Sequence, residues 1–306
     1  MAKVDFANVD TLVVDPDRAS LDAVRMILRN NGFKIVRQGS TRAEVEAAFK
    51  ARMPDLLISD SDLGGNAFED MVHRLRHYEL GGNPFLPIIA MTREPTPDLV
   101  RKVIGCGSDD LVPKPISIGH LMKRIEILIE ARKPFVVTSE YIGPDRRNSK
   151  DRPSDIPLLQ VPNSLRTKAT GESNPEIDAQ AIAAAIDEIN IQKLERYAIQ
   201  IAYLVEHLVP PLEKGTYDKA TEELVARLVY VSEDTARRMV GTKYMHVSDL
   251  CQSMIKVARD VLGAKGKPAP KDVKLLTPLA QAINQGFDSA EATAKAARQI
   301  STSIGR

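Results

Sequence analysis

The chain has 306 residues and a mass of 33.7 kDa, about twice the size of a typical domain, with 43% hydrophobic and 27% charged residues. A single small fold and wholesale disorder are excluded. The net charge of +1 divides unevenly, with residues 1–130 at −2, residues 131–174 at +3 and residues 175–306 neutral, so the C-terminal part lacks the basic surplus that releases phosphate counterions.

Five short apolar runs lie in the first 132 residues, at Thr11–Val14, Phe33–Val36, Leu56–Ser59, Phe85–Met91 and Leu111–Val112, and each reads as a buried strand. Amphipathic stretches alternate with them. The first four helical faces carry Leu21, Val24, Ile27 and Leu28; Val45, Ala48 and Phe49; Met71, Leu75 and Tyr78; and Leu99 and Val103. Ile118, Leu121, Ile125 and Leu128 mark the fifth. Strict alternation implies a parallel sheet covered by helices on both faces, a doubly wound α/β domain over residues 1–132. Its site belongs outside the carboxyl ends of the strands.

Residues 133–174 hold five prolines and several arginines and read as a connector. Its front half is too apolar for a spacer. Phe135, Val136, Val137, Tyr141 and Ile142 are expected to cover an apolar surface, as a packed tail more than as a dimer clasp. From residue 175 to 306 the pattern is helical. Ser173, Pro175 and Glu176 make a capping-box start, and the stripe Leu194, Tyr197, Ile201, Leu204 and Leu208 is expected to end at Pro210-Pro211. A second stripe runs from Ala220 through Leu224, Leu228 and Val231 to Met239, and a third takes in Val247, Leu250, Met254, Val257 and Val261. Thr277-Pro278 reads as the start of a fourth, continued by Leu279, Ile283, Phe287, Ala290, Ala294 and Ala297. Short loops between these helices suggest an all-α four-helix domain, with a seam between two copies of the chain as a further option.

The strand ends supply Asp15, Asp60, Thr92 and, after the fifth strand, Lys114 followed by Pro115. Two carboxylates at adjacent strand ends suit Mg²⁺, which prefers oxygen ligands, while a hydroxyl and an ammonium suit phosphoryl oxygens. Singly these residues are turn caps and solvated charges. In this order they say more. The stretches Leu12-Val-Val-Asp15, Pro54-Asp-Leu-Leu-Ile-Ser-Asp60, Leu86-Pro-Ile-Ile-Ala-Met-Thr92 and Gly107-Ser-Asp-Asp-Leu-Val-Pro-Lys-Pro115 resemble the receiver domain of bacterial two-component response regulators, over about residues 8–132.

That resemblance implies a flavodoxin-like sheet of strand order 2-1-3-4-5 and a phosphorelay role. It implies Asp60 as phosphoacceptor, Asp15 as a metal-site carboxylate and the backbone carbonyl of Asp62 as a further Mg²⁺ ligand. Lys114 would pair with the phosphoryl group and Thr92 would act as the switch. A sensor histidine kinase or a phosphotransfer protein is the implied donor. The sequence departs from the family pattern in three places. Pro16 stands where a second acid is usual, so Asp17 either reaches the metal through water or caps the first helix. Leu111 replaces the usual aromatic, and Asp62 adds a carboxylate beside the acceptor.

The helical half carries no comparable motif. Arg237-Arg238 end an otherwise acidic and apolar helix, so DNA is not the expected partner. His207 and His246 lack phosphotransfer context, and Asp249 and Gln252 only faintly resemble the acid-and-amide helix of chemotaxis phosphatases. The expected output is a protein-interaction module, a homodimer being possible, with a helical phosphatase or an unphosphorylated scaffold as alternatives. Cys106 and Cys251 lie far apart without metal-type neighbours, there is no basic-then-apolar leader, and no run of about 18 apolar residues occurs. A cytoplasmic protein without a membrane span is expected.

Overall fold

The computed structural model describes residues 4–147 and 156–304, with side chains through Asp288. Strands β1 (Asp10–Val14), β2 (Ile35–Gly39), β3 (Leu56–Asp60), β4 (Ile88–Thr92) and β5 (Asp110–Pro113) form one parallel sheet in the order β2-β1-β3-β4-β5. Side chains alternate across it, because successive Cβ atoms point to opposite faces. Val13, Leu56, Ile58, Ile89, Met91 and Val112 pack on α1 (Arg18–Asn30) and α5 (Ile118–Glu130). Leu12, Val14, Leu57, Ile88 and Ala90 face α2 (Arg42–Ala51), α3 (Ala67–Arg76) and α4 (Pro97–Gly105). Each fully buried aliphatic chain contributes about 1.5–3 kcal/mol, so both faces hold the sheet in register.

Local chemistry starts these helices. The side chains of Asp17, Thr41, Thr96 and Ser117 accept the N–H groups of Ala19, Glu44, Leu99 and His120. The expected third helical face runs two residues too far, since α3 ends at Arg76 and Tyr78 sits beyond it at φ 65°. Phe33 and Phe85, read as strand starts, are instead core residues of the preceding loops.

The chain divides into two compact units, Met1–Ala185 and Ile186–Arg306. The connector expected over 133–174 therefore lies in the first unit, and its described part is folded. β6 (Phe135–Val137) pairs antiparallel with β7 (Ile142–Pro144), and α6 (Ser164–Thr170) buries Leu165 and Ala169 in the layer of α1 and α5. Its centre, residues 148–155, lies outside the described residues.

The second unit takes in α7 (Pro175–Glu213) from Ile186 onward, α8 (Lys219–Met239), α9 (Ser248–Gly263) and α10 (Pro270–Ile304). Tyr197, Ile201, Leu208, Leu228, Val231, Met254, Val261 and Ile283 are buried together. Three expected boundaries change. Asn174, not Ser173, caps α7, its Oδ1 accepting the Glu176 N–H at 3.0 Å. α7 runs through Pro210 and Pro211 to Glu213. The carbonyls that lose a donor there belong to Glu206 and His207, both exposed to water, while Leu208 and Leu212 stay buried. α10 starts at Pro270 rather than Thr277, because Val273 and Leu276 bury its first turns ahead of Pro278. Ala290, Ala294 and Ala297 lie on α10 beyond the described side chains.

Candidate functional site

Strand register assembles the carboxyl edge. Val14 pairs with Ser59, Asp60 with Met91 and Thr92 with Pro113, so Asp15, Asp60, Thr92 and Lys114 leave neighbouring strands at one level. Asp15 is 1% and Asp60 6% exposed. Lys114 Nζ donates to Asp15 Oδ2 at 2.6 Å and to Asp60 Oδ2. The remaining oxygens accept loop amides, Asp15 Oδ1 from Asp17 N at 2.9 Å and Asp60 Oδ1 from Asp62 N at 2.8 Å. Lys114 is itself fixed by its N–H, which donates to Thr92 O at 2.7 Å. Burial pushes the Asp15 carboxyl above its ordinary range, opposed by the Lys114 hydrogen bond.

A cleft of about 750 Å³ opens over this edge, lined by Asp15, Asp60, Asp62, Glu69, Thr92 and Arg93 among others. Asp62 is exposed and Thr92 is 3% exposed. Of the two readings of Asp17, the hydrogen bonds are those of a cap: its carboxylate accepts Ala19 N at 3.0 Å and Ser20 Oγ at 3.1 Å. The Ala19 N–H first, then Ser20 and Arg93, hold that carboxyl below its usual range. Among the described residues no three His, Cys, Asp or Glu side chains converge as a metal cluster. A hard cation that keeps several waters needs only one or two carboxylates. Asp15 and Asp60 meet that requirement, and they already share one cation, the Lys114 ammonium.

The other expected residues belong to the second unit. His207 is exposed, its Nδ1 2.9 Å from Tyr203 O, and its ring lies against that of Tyr203. His246 is also exposed, with Nε2 3.2 Å from Gly286 O, and Asp249 and Gln252 are exposed on α9. Arg238 is buried and donates from Nε to Asp234 Oδ2 at 2.9 Å, while Arg237 pairs with Asp234 Oδ1.

Two clusters escaped sequence reasoning. In the first unit Arg76, fully buried, donates to Gly107 O, Pro84 O, Leu86 O and Asp109. Arg132 grips the same carboxylate. In the second unit Lys193 Nζ donates to Tyr197 OH at 2.9 Å, and that hydroxyl donates to Asp234 Oδ2 at 2.7 Å. Periodicity marks only apolar faces, so cations inside them leave no signal.

Acidic strand ends bridged by a lysine, on a sheet of order 2-1-3-4-5, define a receiver-like architecture. Residues 11–126 match the response regulator receiver domain, and this segment is a receiver domain of two-component signalling. A probable transcriptional regulatory protein, TcrX of Mycobacterium tuberculosis, is 31% identical over 129 residues, 42% of this chain and 53% of that relative. The phosphate regulon transcriptional regulatory protein PhoB of Rhizobium meliloti is likewise 31% identical, over 42% of this chain and 55% of its own. The transcriptional regulatory protein ZraR of Escherichia coli O157:H7 is 25% identical over 72% of this chain and 51% of its own. The chain thus spans about half the length of these relatives. Among solved structures, the receiver domain of a putative NarL response regulator from Mycobacterium tuberculosis is 19% identical, covering 41% of this chain and 98% of its own at a TM-score of 0.37. The named relatives are transcriptional regulators, so the expectation that DNA is not a partner gains no support from them. Among the described residues no helix is long and apolar enough to cross a membrane.

Proposed function

We propose that the protein is a response regulator that accepts a phosphoryl group on Asp60 and passes the change to its helical unit. The observation that carries this reading is the buried pair Asp15 and Asp60 bridged by Lys114 at the carboxyl edge. An Asp60 oxygen attacks the donor phosphorus, and the donor's leaving group departs with the electrons of the broken bond. Lys114 then pairs with the added charge, and the Thr92 hydroxyl donates to a phosphoryl oxygen, drawing the start of α4 with it. Mg²⁺, held by Asp15, Asp60 and the backbone carbonyl of Asp62, supplies charge neutralisation at the phosphoryl oxygens when bound.

The donor is a sensor histidine kinase or a phosphotransfer protein, and the output is contact with a downstream protein. Support for a protein output comes from the neutral charge of residues 175–306 and from Arg238 of α8, which is buried against Asp234 and is not available as a phosphate contact. Incubation with acetyl phosphate and Mg²⁺, followed by intact mass, tests the reading. One phosphoryl adduct on the unmutated protein and none on Asp60→Asn is the expected result. No adduct on either overturns it and leaves the receiver as an unphosphorylated scaffold.

A further inference from the structure

An ion pair joins two of the loops that line the Asp60 cleft. Arg93 Nη2 donates to Asp17 Oδ2 at 2.6 Å, joining the loop after β4 to the loop after β1. Both residues line the cleft. Their places in the chain give the pair its meaning, since Arg93 directly follows Thr92 and Asp17 stands two residues after Asp15. Asp17 is the fixed end, anchored to the first turn of α1 by Ala19 and Ser20. Arg93 is the moving end, a long side chain 66% exposed that can swing into solvent.

We propose that Arg93 and Asp17 form a latch over the phosphoacceptor that slows both loading of Asp60 and hydrolysis of its acyl phosphate. This inference rests on the reading of Asp60 as phosphoacceptor. In hydrolysis, water adds to phosphorus, the bond from phosphorus to the Asp60 oxygen breaks, and the carboxylate keeps that electron pair. The protons of the water leave with inorganic phosphate. A closed latch keeps both donor and water from the line of attack, so one contact governs entry and loss together. The pair also ties the strand exit that carries Thr92, so opening frees that loop to move. An exposed ion pair is weak and is screened by salt, so the latch changes rates by only about two- to fivefold.

The test uses the full chain with acetyl phosphate and Mg²⁺, reading adduct growth and, after removal of the donor, adduct decay by intact mass. The variants are Arg93→Ala, Asp17→Asn, which keeps a good helix cap, and the two combined. Both rates are expected to rise about two- to fivefold in each single variant, with no further gain in the double. Arg93→Lys should recover part of the slow decay. Raising salt should speed the unmutated protein toward the variants and leave the variants unchanged. An unmutated protein that loads normally beside variants with unaltered rates, or with additive gains in the double, overturns the latch alone. An unmutated protein that takes no phosphoryl group overturns both the latch and the phosphoacceptor reading.

Discussion

Asp109 shows how much one carboxylate can organise. It lies buried between Arg76 and Arg132 and also accepts the Ile88 N–H at 2.9 Å. Burial pushes the Arg76 guanidinium down to about 10, which leaves it charged at neutral pH. Removing the carboxylate strands two buried cations, and breaking such a pair costs about 3–5 kcal/mol. Asp109→Ala is therefore expected to lose about that much in urea unfolding, while Asp62→Ala, an exposed change, should stay near the unmutated value. Asp109 was legible only as part of a family-like stretch. Nothing local in the sequence says that Arg76, five residues beyond Met71 on α3, points inward to meet it.

At the scale of elements, the β6–β7 ribbon is the part whose role changed most between sequence and structure. Its apolar residues read as a covering tail, and Phe135 is indeed fully buried, with its ring 5.2 Å from the Arg76 and 5.1 Å from the Arg132 guanidinium carbon. The ribbon thus holds two buried cations as well as apolar surface. Phe135→Ala should cost about 3–5 kcal/mol and raise hydrogen exchange at the amides of β6 and β7. Unchanged exchange there would show that the ribbon does not depend on this ring. The helices teach a related lesson. Proline looks like a boundary in sequence, yet buried Leu212 and Leu276 keep α7 and α10 continuous past it. Their burial offsets the missing hydrogen bond.

At the scale of the molecule, the two units are expected to answer pH differently. In the first, burial pushes Asp55 up to about 6, although its carboxylate accepts the Asp10 N–H at 2.9 Å. From about pH 4 to pH 6 the folded state holds a proton that the unfolded chain has lost, so this residue makes stability fall as pH rises. In the second unit, burial pushes Lys193 down to about 7. From about pH 7 to pH 10 the unfolded chain holds the proton that the folded state lacks, so stability rises with pH. Each slope is at most about 1.4 kcal/mol per pH unit. Asp55→Asn should flatten the acid limb and Lys193→Met the alkaline one, as read by denaturant titrations across pH. Limbs that survive these changes would assign the slopes to other groups.

The sequence by itself determined the parallel α/β unit and the residues gathered at its carboxyl edge, while the order of its strands was implied by the resemblance to receiver domains. Alternating apolar periods and four spaced side chains are local patterns, and right-handed crossovers turn the alternation into a parallel sheet covered on both faces. Only the tertiary structure decided the folded connector, the Arg93 bridge and the buried charges around Asp109 and Asp234. Each depends on at least one partner tens of residues away, 76 for Arg93 and Asp17, 33 for Arg76 and Asp109, and 37 for Tyr197 and Asp234. A charged side chain carries no sign in the sequence of whether it will meet water or a counterion, because that choice is made by packing.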